Sequence, residues 1–298
     1  MNKKSQGSFE TPVLKEQAPK EPVYRGFCGA SNRAFAPAGF CKRFSLLFFL
    51  AVFAEGLFAQ DDAYAIVHAS RNRISAVTTS TRSRMVVTAR DGSTAERIID
   101  QYSKDGQGGN SRSVIVFQRP QSVAGTRFLT LENSGSPDDR WIFLPSLGKV
   151  RRVAASEGSA SFMGTDFSYD DISSASRGAD LDTHTLAGEE NLDGRPCRVI
   201  ESRSRDTSYQ YSRMVQWIDR ETGINHKLEL YDKRNVLVKR VEMLDVREIQ
   251  GRLSPMITKM TTLSAGTSTT LYVDILKYDD PIPESVFTTT YLETGRAR

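Results

Sequence analysis

A succession of short β-branched and aromatic runs, separated by turn residues, most constrains how this chain can fold. The runs that fit a strand template are Thr79–Ala89, Ala95–Ser103, Ser113–Gln118, Gly125–Leu131, Arg140–Leu144, Lys149–Val153, Arg198–Arg203, Tyr211–Asp219, Ile224–Tyr231, Leu237–Ile249, Ile257–Leu263 and Thr269–Tyr278. Breaks such as Asp91-Gly92 and Ala265-Gly266 are typical of hairpins. No helix of the length used in βαβ units separates the runs, so the pattern predicts a continuous antiparallel sheet.

Two other segments complete the predicted fold. Asp61 and Asp62 can cap a helix that runs to about Ile74, ahead of the first strand. Segment 154–182 is too long for a hairpin, and its Phe and Met side chains should fold back over apolar surface as a lid. A sheet of a dozen strands curls. We therefore expect a mainly β protein with a few helices, a half-open antiparallel β-barrel wrapped around an N-terminal helix and a lid segment.

The N-terminal region reads as an export signal. Residues 44–59 are mostly apolar, follow Lys42-Arg43 and end in Ala59, as in a cleaved signal peptide. The stretch is shorter than the ~20 residues of a membrane-spanning helix, and Glu55 interrupts it, so a cleaved signal is preferred to a retained anchor. The length of chain ahead of residue 42 leaves the true start open. We expect residues 1–59 to be an extension and signal peptide, residues 60–298 to form one domain, and the protein to reside in the periplasm.

The charge distribution argues against a nucleic-acid binder. The whole chain has 40 basic and 36 acidic residues. Residues 1–59 contain eight of the basic and four of the acidic ones, which leaves 32 of each in residues 60–298. A nucleic-acid-binding domain keeps its positive charge on the folded part. No such excess is present here.

The sequence contains no constellation that indicates catalysis or a metal site. The three histidines, His68, His184 and His226, lie far apart, and none has metal-ligand spacing. His68 is expected on a helix surface and His226 on an exposed strand position. We found no nucleophile elbow, metalloprotease motif, phosphate loop or Cys-x-x-Cys. The chain is therefore predicted not to be an enzyme and to need neither a metal nor a cofactor.

Two further features have simple interpretations. Asp166, Asp170, Asp171, Asp180 and Asp182 do not follow an EF-hand spacing, so helix capping at Asp166 and loop solvation explain them better than a calcium site or an acid/base pair. Cys28 and Cys41 precede the apolar stretch. Because both would be removed with the signal peptide, Cys197 would have no cysteine partner within the chain, and it is interpreted as a small buried hydrophobic residue.

Three blocks in the middle of the chain resemble a known family. They are Asp-Arg-Trp-Ile-Phe-Leu-Pro at 139–145, Gly-Lys-Val-Arg-Arg at 148–152 and Phe-Met-Gly-Thr-Asp-Phe-Ser-Tyr-Asp-Asp-Ile at 162–172. In order and spacing they are similar to the LolA-like outer membrane lipoprotein-sorting protein family. Agreement continues through 194–197, 217–219, 227–231, Lys239 and 283–287, so the resemblance spans most of residues 61–292.

The resemblance implies an apolar cavity between sheet and lid, and a periplasmic carrier that moves acyl chains of lipoproteins or lipids toward the outer membrane. The implied partners are lipoprotein acyl chains or phospholipid, an inner-membrane transporter and an outer-membrane acceptor, and we expect a monomer. The alternative is a non-catalytic envelope scaffold or an accessory subunit of a membrane lipid transporter. The client itself stays open.

The predicted lipid-contacting side chains are aromatic and Met residues of the strands and lid: Trp141, Phe143, Phe162, Met163, Phe167, Trp217 and Met260. The alternative for each is that it fills a dry core. Arg151 and Arg152, beside the lid, are candidates for contact with an anionic headgroup or an acidic partner, or are ordinary solvated strand ends.

Overall fold

The computed structural model describes residues 63–106, 110–133, 138–173 and 177–297. Within these ranges thirteen strands form one antiparallel sheet. The strands are β1 (Thr78–Thr88), β2 (Thr94–Lys104), β3 (Arg112–Arg119), β4 (Arg127–Leu131), β5 (Asp139–Leu144), β6 (Lys149–Arg152), β7 (Asp182–Leu192), β8 (Arg195–Ser204), β9 (Arg213–Asp219), β10 (Asn225–Tyr231), β11 (Leu237–Ile249), β12 (Arg252–Thr262) and β13 (Thr267–Tyr278).

The helices are short. The described helical elements are α1 (63–71), α2 (Tyr169–Ser173), α3 (Thr289–Thr294) and three 3-10 turns at Ala155–Glu157, Ala179–Leu181 and Glu284–Phe287. Helix α1 is the predicted N-terminal helix, but its proposed caps, together with the predicted extension and signal peptide, lie outside the described residues. None of the helices in the described ranges is long and apolar enough to cross a membrane.

The strand order makes two strands the edges of the sheet. The order is β6-β5-β4-β3-β2-β1-β13-β12-β11-β10-β9-β8-β7, so every neighbouring pair is also consecutive in sequence except β1 and β13. Since β6 and β7 are consecutive in the chain but lie at opposite edges, the connection between them must pass from one edge to the other. This is the segment that the sequence identified as a lid.

Alternation along β3 defines the two faces of the sheet. Ile115 and Phe117 pack in a cluster with Phe162 of the β6–β7 connection, whereas Val114 and Val116 pack in a cluster with Phe287 near the C-terminus. Successive side chains of a strand point to opposite faces. We call the face of Ile115 and Phe117 the inner face and the face of Val114 and Val116 the outer face.

The inner face continues to the other end of the sheet, where α1 covers it. On β9, Met214 packs with Phe167 of the β6–β7 connection, and Ile218, four residues on and therefore on the same face, packs with Ala63 and Val67 of α1. The outer face is covered at β3–β5 by the C-terminal segment, whose Leu292 is fully buried.

The predicted fold class is confirmed: the protein is mainly β, antiparallel, with an N-terminal helix and a covering connection. The sheet is open and is not closed into a barrel, since β6 and β7 do not pair with each other in the described sheet. All twelve predicted strands exist, with ends shifted by a few residues. Strand β7 was missed because it is a largely exposed, polar edge strand with a register shift between Leu186 and Gly188, so little alternation marks it.

Candidate lipid-binding site

The candidate site is the inner face together with residues 153–173, which we call the covering segment. It begins after β6, where Glu157 closes the first 3-10 turn by accepting the Ala154 N–H at 2.9 Å. A tight turn follows, in which the Phe162 N–H donates to the Phe167 carbonyl at 2.7 Å. Met163 and Gly164 adopt φ values of 53° and 72° at the tip of this turn. The left-handed backbone reverses the chain within two residues.

Aromatic side chains attach the covering segment to the inner face at β3 and β4. The Phe162 ring is fully buried, with centroid distances of 5.1 Å to Phe128, 5.8 Å to Phe117 and 5.6 Å to Tyr169. Tilted and edge-on rings at these separations stabilise the contact by more than the burial of their apolar area alone. The part of the inner face that Phe162 covers is apolar.

Phe167 makes the corresponding contact further along the inner face. It packs in a cluster with Met214, Leu230, Val241 and Met260, contributed by β9 to β12. The two Phe side chains of the turn therefore enter two different apolar clusters of one face, and the covering segment bridges them.

Buried carboxylates also fix the covering segment to the sheet, through hydrogen bonds. Asp166 accepts hydrogen bonds from the hydroxyls of Thr267 at 2.5 Å and Thr269 at 2.7 Å, and its own N–H donates to Thr269 at 3.0 Å. Both threonines belong to β13, near the middle of the sheet. Hydrogen bonds of an ionised carboxylate are stronger than neutral ones, so this contact fixes the turn over the central strands.

The two carboxylates of α2 meet cations of the sheet. Asp170 lies 2.7 Å from Arg140 of β5, and Asp171 lies 2.6 Å from Lys239 of β11 and 2.9 Å from the Tyr211 hydroxyl. Burial and the neighbouring Asp171 carboxylate raise the pKa of Tyr211, which therefore stays a hydrogen-bond donor. The expectation of solvated loop carboxylates is wrong for these residues, because α2 lies on the sheet rather than in solvent.

The seven predicted lipid-contacting residues do not share one face. Four of them lie on or over the inner face, namely Phe162, Met163, Phe167 and Met260. Trp141 and Phe143 flank Ile142 on β5 and therefore point to the outer face, where both pack against the C-terminal cluster. Periodicity along one strand separates its two faces, but it does not show which face the covering segment occupies.

Trp217 also lies on the outer face, in a cluster with Cys197, which is buried as predicted. Its indole N–H donates to Glu190 at 2.7 Å, and the Lys227 ammonium lies 3.4 Å from the ring centroid. The ring face and the indole N–H of Trp217 therefore both have partners within the protein.

The two candidate headgroup arginines are each paired at the edge strand. Both Oε atoms of Glu157 lie 3.0 Å from Nη1 of Arg151, and Arg152 bonds Asp139. Both guanidinium groups remain partly exposed. Whether they contact a headgroup or a partner stays a prediction.

Sequence reasoning missed three residues that build this site: Phe117, Phe128 and Tyr211. Phe117 ends a run in which every residue from Val114 is buried, so the run has no alternation that would reveal its two faces. Tyr211 precedes β9, and its place in the site follows from its packing with Phe167 and Met214 and from its hydrogen bond to Asp171. The cross-strand contacts, not a local pattern, mark these positions.

The buried histidines have structural partners. In His184, Nε2 lies 2.8 Å from the Ala179 carbonyl, which can only accept, and Nδ1 lies 2.7 Å from the Ser202 hydroxyl. His226 is buried and lies 3.3 Å from Asp219, so the expected exposed position is wrong. The register shift between Asn225 and Lys227 turns it away from solvent. The described ranges contain no group of three His, Cys, Asp or Glu side chains placed to hold a metal ion.

The fold is shared with known proteins. A family model described as an uncharacterized protein matches residues 109–294, more than half of the chain. The chain is 29% identical to a DUF1329 family protein of Desulfovibrio piger, with a TM-score of 0.75 over 78% of this chain and 99% of the other. No curated protein matches the chain.

Two further solved structures share the fold at lower identity. An outer membrane lipoprotein-sorting protein domain of Vibrio parahaemolyticus is 23% identical, with a TM-score of 0.74 over 78% of this chain and 99% of the other. A LolA superfamily protein of Nitrosomonas europaea is 21% identical, with a TM-score of 0.62 over 77% and 98% of the two chains. At these identities the likeness establishes the fold.

Proposed function

This chain belongs to the DUF1329-like family and has a fold of the LolA superfamily, and from these premises we propose that it is a carrier of acyl chains. The carrier binds lipoproteins or lipids on its inner face and moves them toward the outer membrane. Residues 1–59 are removed on export, and residues 60–298 act as a monomer in the periplasm. An inner-membrane transporter hands over the client and an outer-membrane acceptor receives it. No catalytic group is needed.

One observation carries this proposal: a single connection between the two edge strands lies across an apolar face and is held there largely by side chains. A row of backbone hydrogen bonds would resist displacement of the covering segment. The apolar contacts of Phe162 and Phe167 can instead be replaced by contacts with an acyl chain. Each buried methylene contributes about 0.8 kcal/mol, so one ~16-carbon chain gains on the order of 12 kcal/mol by leaving water. Burial of Phe162 and Phe167 contributes about 1.5–3 kcal/mol for each side chain, which is less than this gain.

The names of the related proteins support the periplasmic part of the proposal. One is an outer membrane lipoprotein-sorting protein domain and another a LolA superfamily protein. The apolar stretch at 44–59, with its basic residues before it, is consistent with export.

The test compares two buried phenylalanines, one on each face. Phe162→Ala on the inner side and Phe287→Ala on the outer side each remove a ring that is at least 96% buried. Both should lower stability by about 3–5 kcal/mol. Uptake of a fluorescent fatty acid, together with lipid retained in native mass spectrometry of protein purified from membranes, should change only in the Phe162 variant. Equal uptake by both variants and by the wild type would remove the inner face as the binding site.

A second candidate function is favoured by the tight filling of the inner face. Phe117, Phe128 and Phe162 are each at most 1% exposed, as in a protein whose own side chains occupy the space. A non-catalytic envelope scaffold, or an accessory subunit of a membrane lipid transporter, would need no more than this. Absence of co-purifying lipid and of fatty-acid binding in the wild type favours this second function over the carrier.

A further inference from the structure

Arg97 of β2 lies beside the inner-face cluster and under the tip of the covering turn. It pairs in register with Met85, which belongs to the inner-face cluster of Phe117 and Phe162. Its Nη1 donates to the carbonyl of Met163 at the tip of the covering turn, at 2.7 Å, and its guanidinium carbon lies 6.0 Å from the centroid of Phe117. The side chain is half-buried.

Arg97 differs from four other partly buried cations on or over the inner face. Those cations each meet a carboxylate in the pairs Arg71–Asp182, Arg177–Asp182, Arg140–Asp170 and Lys239–Asp171. Among the residues that the structure describes, no carboxylate lies within ion-pair distance of Arg97. Burial without a compensating charge lowers the pKa of Arg97. Its positive charge therefore faces a neutral carbonyl and an apolar cluster.

We propose that Arg97 binds the phosphate or carboxylate of an anionic amphiphile whose hydrocarbon chains occupy the inner face. This inference rests on the proposed carrier function and specifies its client. When the covering turn moves to admit the chains, the Met163 carbonyl leaves the guanidinium. A planar guanidinium with several N–H donors binds phosphate or carboxylate oxygens in a bidentate manner. The headgroup thereby replaces a weak neutral acceptor by a charged one.

The position of Arg97 also predicts selectivity. A neutral glyceride presents only ester carbonyls, which replace the Met163 carbonyl without using the positive charge. A phospholipid or fatty acid brings a full negative charge to the edge of the same apolar cluster. We therefore expect the protein to bind anionic amphiphiles about tenfold or more tightly than neutral ones of the same chain length, where tenfold corresponds to about 1.4 kcal/mol.

The experiment uses the full chain and three probes: phosphatidylglycerol, diacylglycerol with the same chains, and inorganic phosphate. The variants are Arg97→Gln, Arg97→Lys and, as a control, Arg84→Gln. Arg84 lies on the outer face of the neighbouring strand, over the Tyr272 ring. Binding is measured by native mass spectrometry and by displacement of a fluorescent fatty acid.

We expect the wild type and Arg84→Gln to bind phosphatidylglycerol more tightly than diacylglycerol. Arg97→Gln should lose this preference while keeping its affinity for diacylglycerol. Arg97→Lys should keep part of the preference. Equal affinity of the wild type for the two lipids, or an equal loss for both in Arg97→Gln, would overturn the headgroup role. Competition by inorganic phosphate at the concentrations of the lipid would show a free-phosphate site and would also overturn it. If the wild type bound neither lipid, the carrier function would fail as well.

Discussion

Lys239 of β11 and Asp171 of α2 form a buried ion pair, with Nζ 2.6 Å from Oδ2 and side-chain exposures of 14% and 4%. The pair joins the covering segment to a strand far from it in sequence. Asp171 is also bonded by the Tyr211 hydroxyl. Two residues that a sequence pattern would place in a loop and on a strand thus determine where the covering segment lies.

Removing one partner of this pair should cost more than removing both. Lys239→Met leaves the Asp171 carboxylate buried without the ammonium, and we expect a loss of about 3–5 kcal/mol in the free energy of unfolding. In Lys239→Met combined with Asp171→Asn, no charge remains and part of the loss should be recovered. Urea unfolding of the wild type and the two variants measures this. A double variant that is less stable than Lys239→Met would contradict the interpretation.

Thr269 should fasten the covering segment specifically. Thr269→Val removes the hydroxyl that donates to Asp166 at 2.7 Å and accepts its N–H at 3.0 Å, at an expected cost of about 1–3 kcal/mol. The neighbouring Thr270 is buried on the outer face, and Thr270→Val is the matched control. Hydrogen exchange in residues 161–173 should quicken in the first variant only. Unchanged exchange there would show that Asp166 does not hold the turn.

Acid should destabilise the protein through His184. Burial lowers the pKa of His184, and both ring nitrogens are engaged by Ala179 and Ser202. The unfolded chain binds a proton at this imidazole near pH 6.5, whereas the folded state binds it only at a lower pH. The free energy of unfolding should therefore fall as the pH decreases from about 7.5 through 6.5 toward the lowered pKa. The slope should be at most about 1.4 kcal/mol per pH unit. His184→Gln should flatten this slope in urea unfolding at a series of pH values. An unchanged slope would assign the effect to other groups.

The turn tip should depend on Gly164. Its φ is 72°, and an added Cβ would meet no atom within 4 Å, so Gly164→Ala tests backbone strain alone. We expect a loss of about 1–2 kcal/mol. Gly92→Ala, in the β1–β2 turn at φ 83° with the same open surroundings, should cost a similar amount. Fatty-acid uptake should change only in the Gly164 variant, because only that turn covers the inner face.

The strands could be predicted because their signals are local. Alternation along Lys227–Tyr231 and Thr269–Tyr278, and Gly-containing turns between strands, depend on residues within one hairpin. The polar edge strand β7 lacks this signal, since one ladder partner and partial exposure leave its composition nearly unconstrained.

The faces could not be predicted in the same way. Trp141 and Ile142 are adjacent and both apolar, and nothing local distinguishes the one that meets the C-terminal cluster from the one that meets the covering segment. The assignment depends on which side of the sheet a connection of some thirty residues takes. That choice is made by contacts between residues about a hundred positions apart, such as Asp166 with Thr269.

The amino-acid sequence by itself determined the antiparallel strands, the helix before them and the presence of a long connection that carries Phe and Met side chains, because each follows from the period and composition of a short window. Only the tertiary structure decided that this connection spans the sheet from edge to edge, that it leaves Arg97 facing a carbonyl instead of a carboxylate, and that three of the seven predicted lipid-contacting residues lie on the far face. Those relationships depend on strand order and register, which bring together side chains that no local pattern connects.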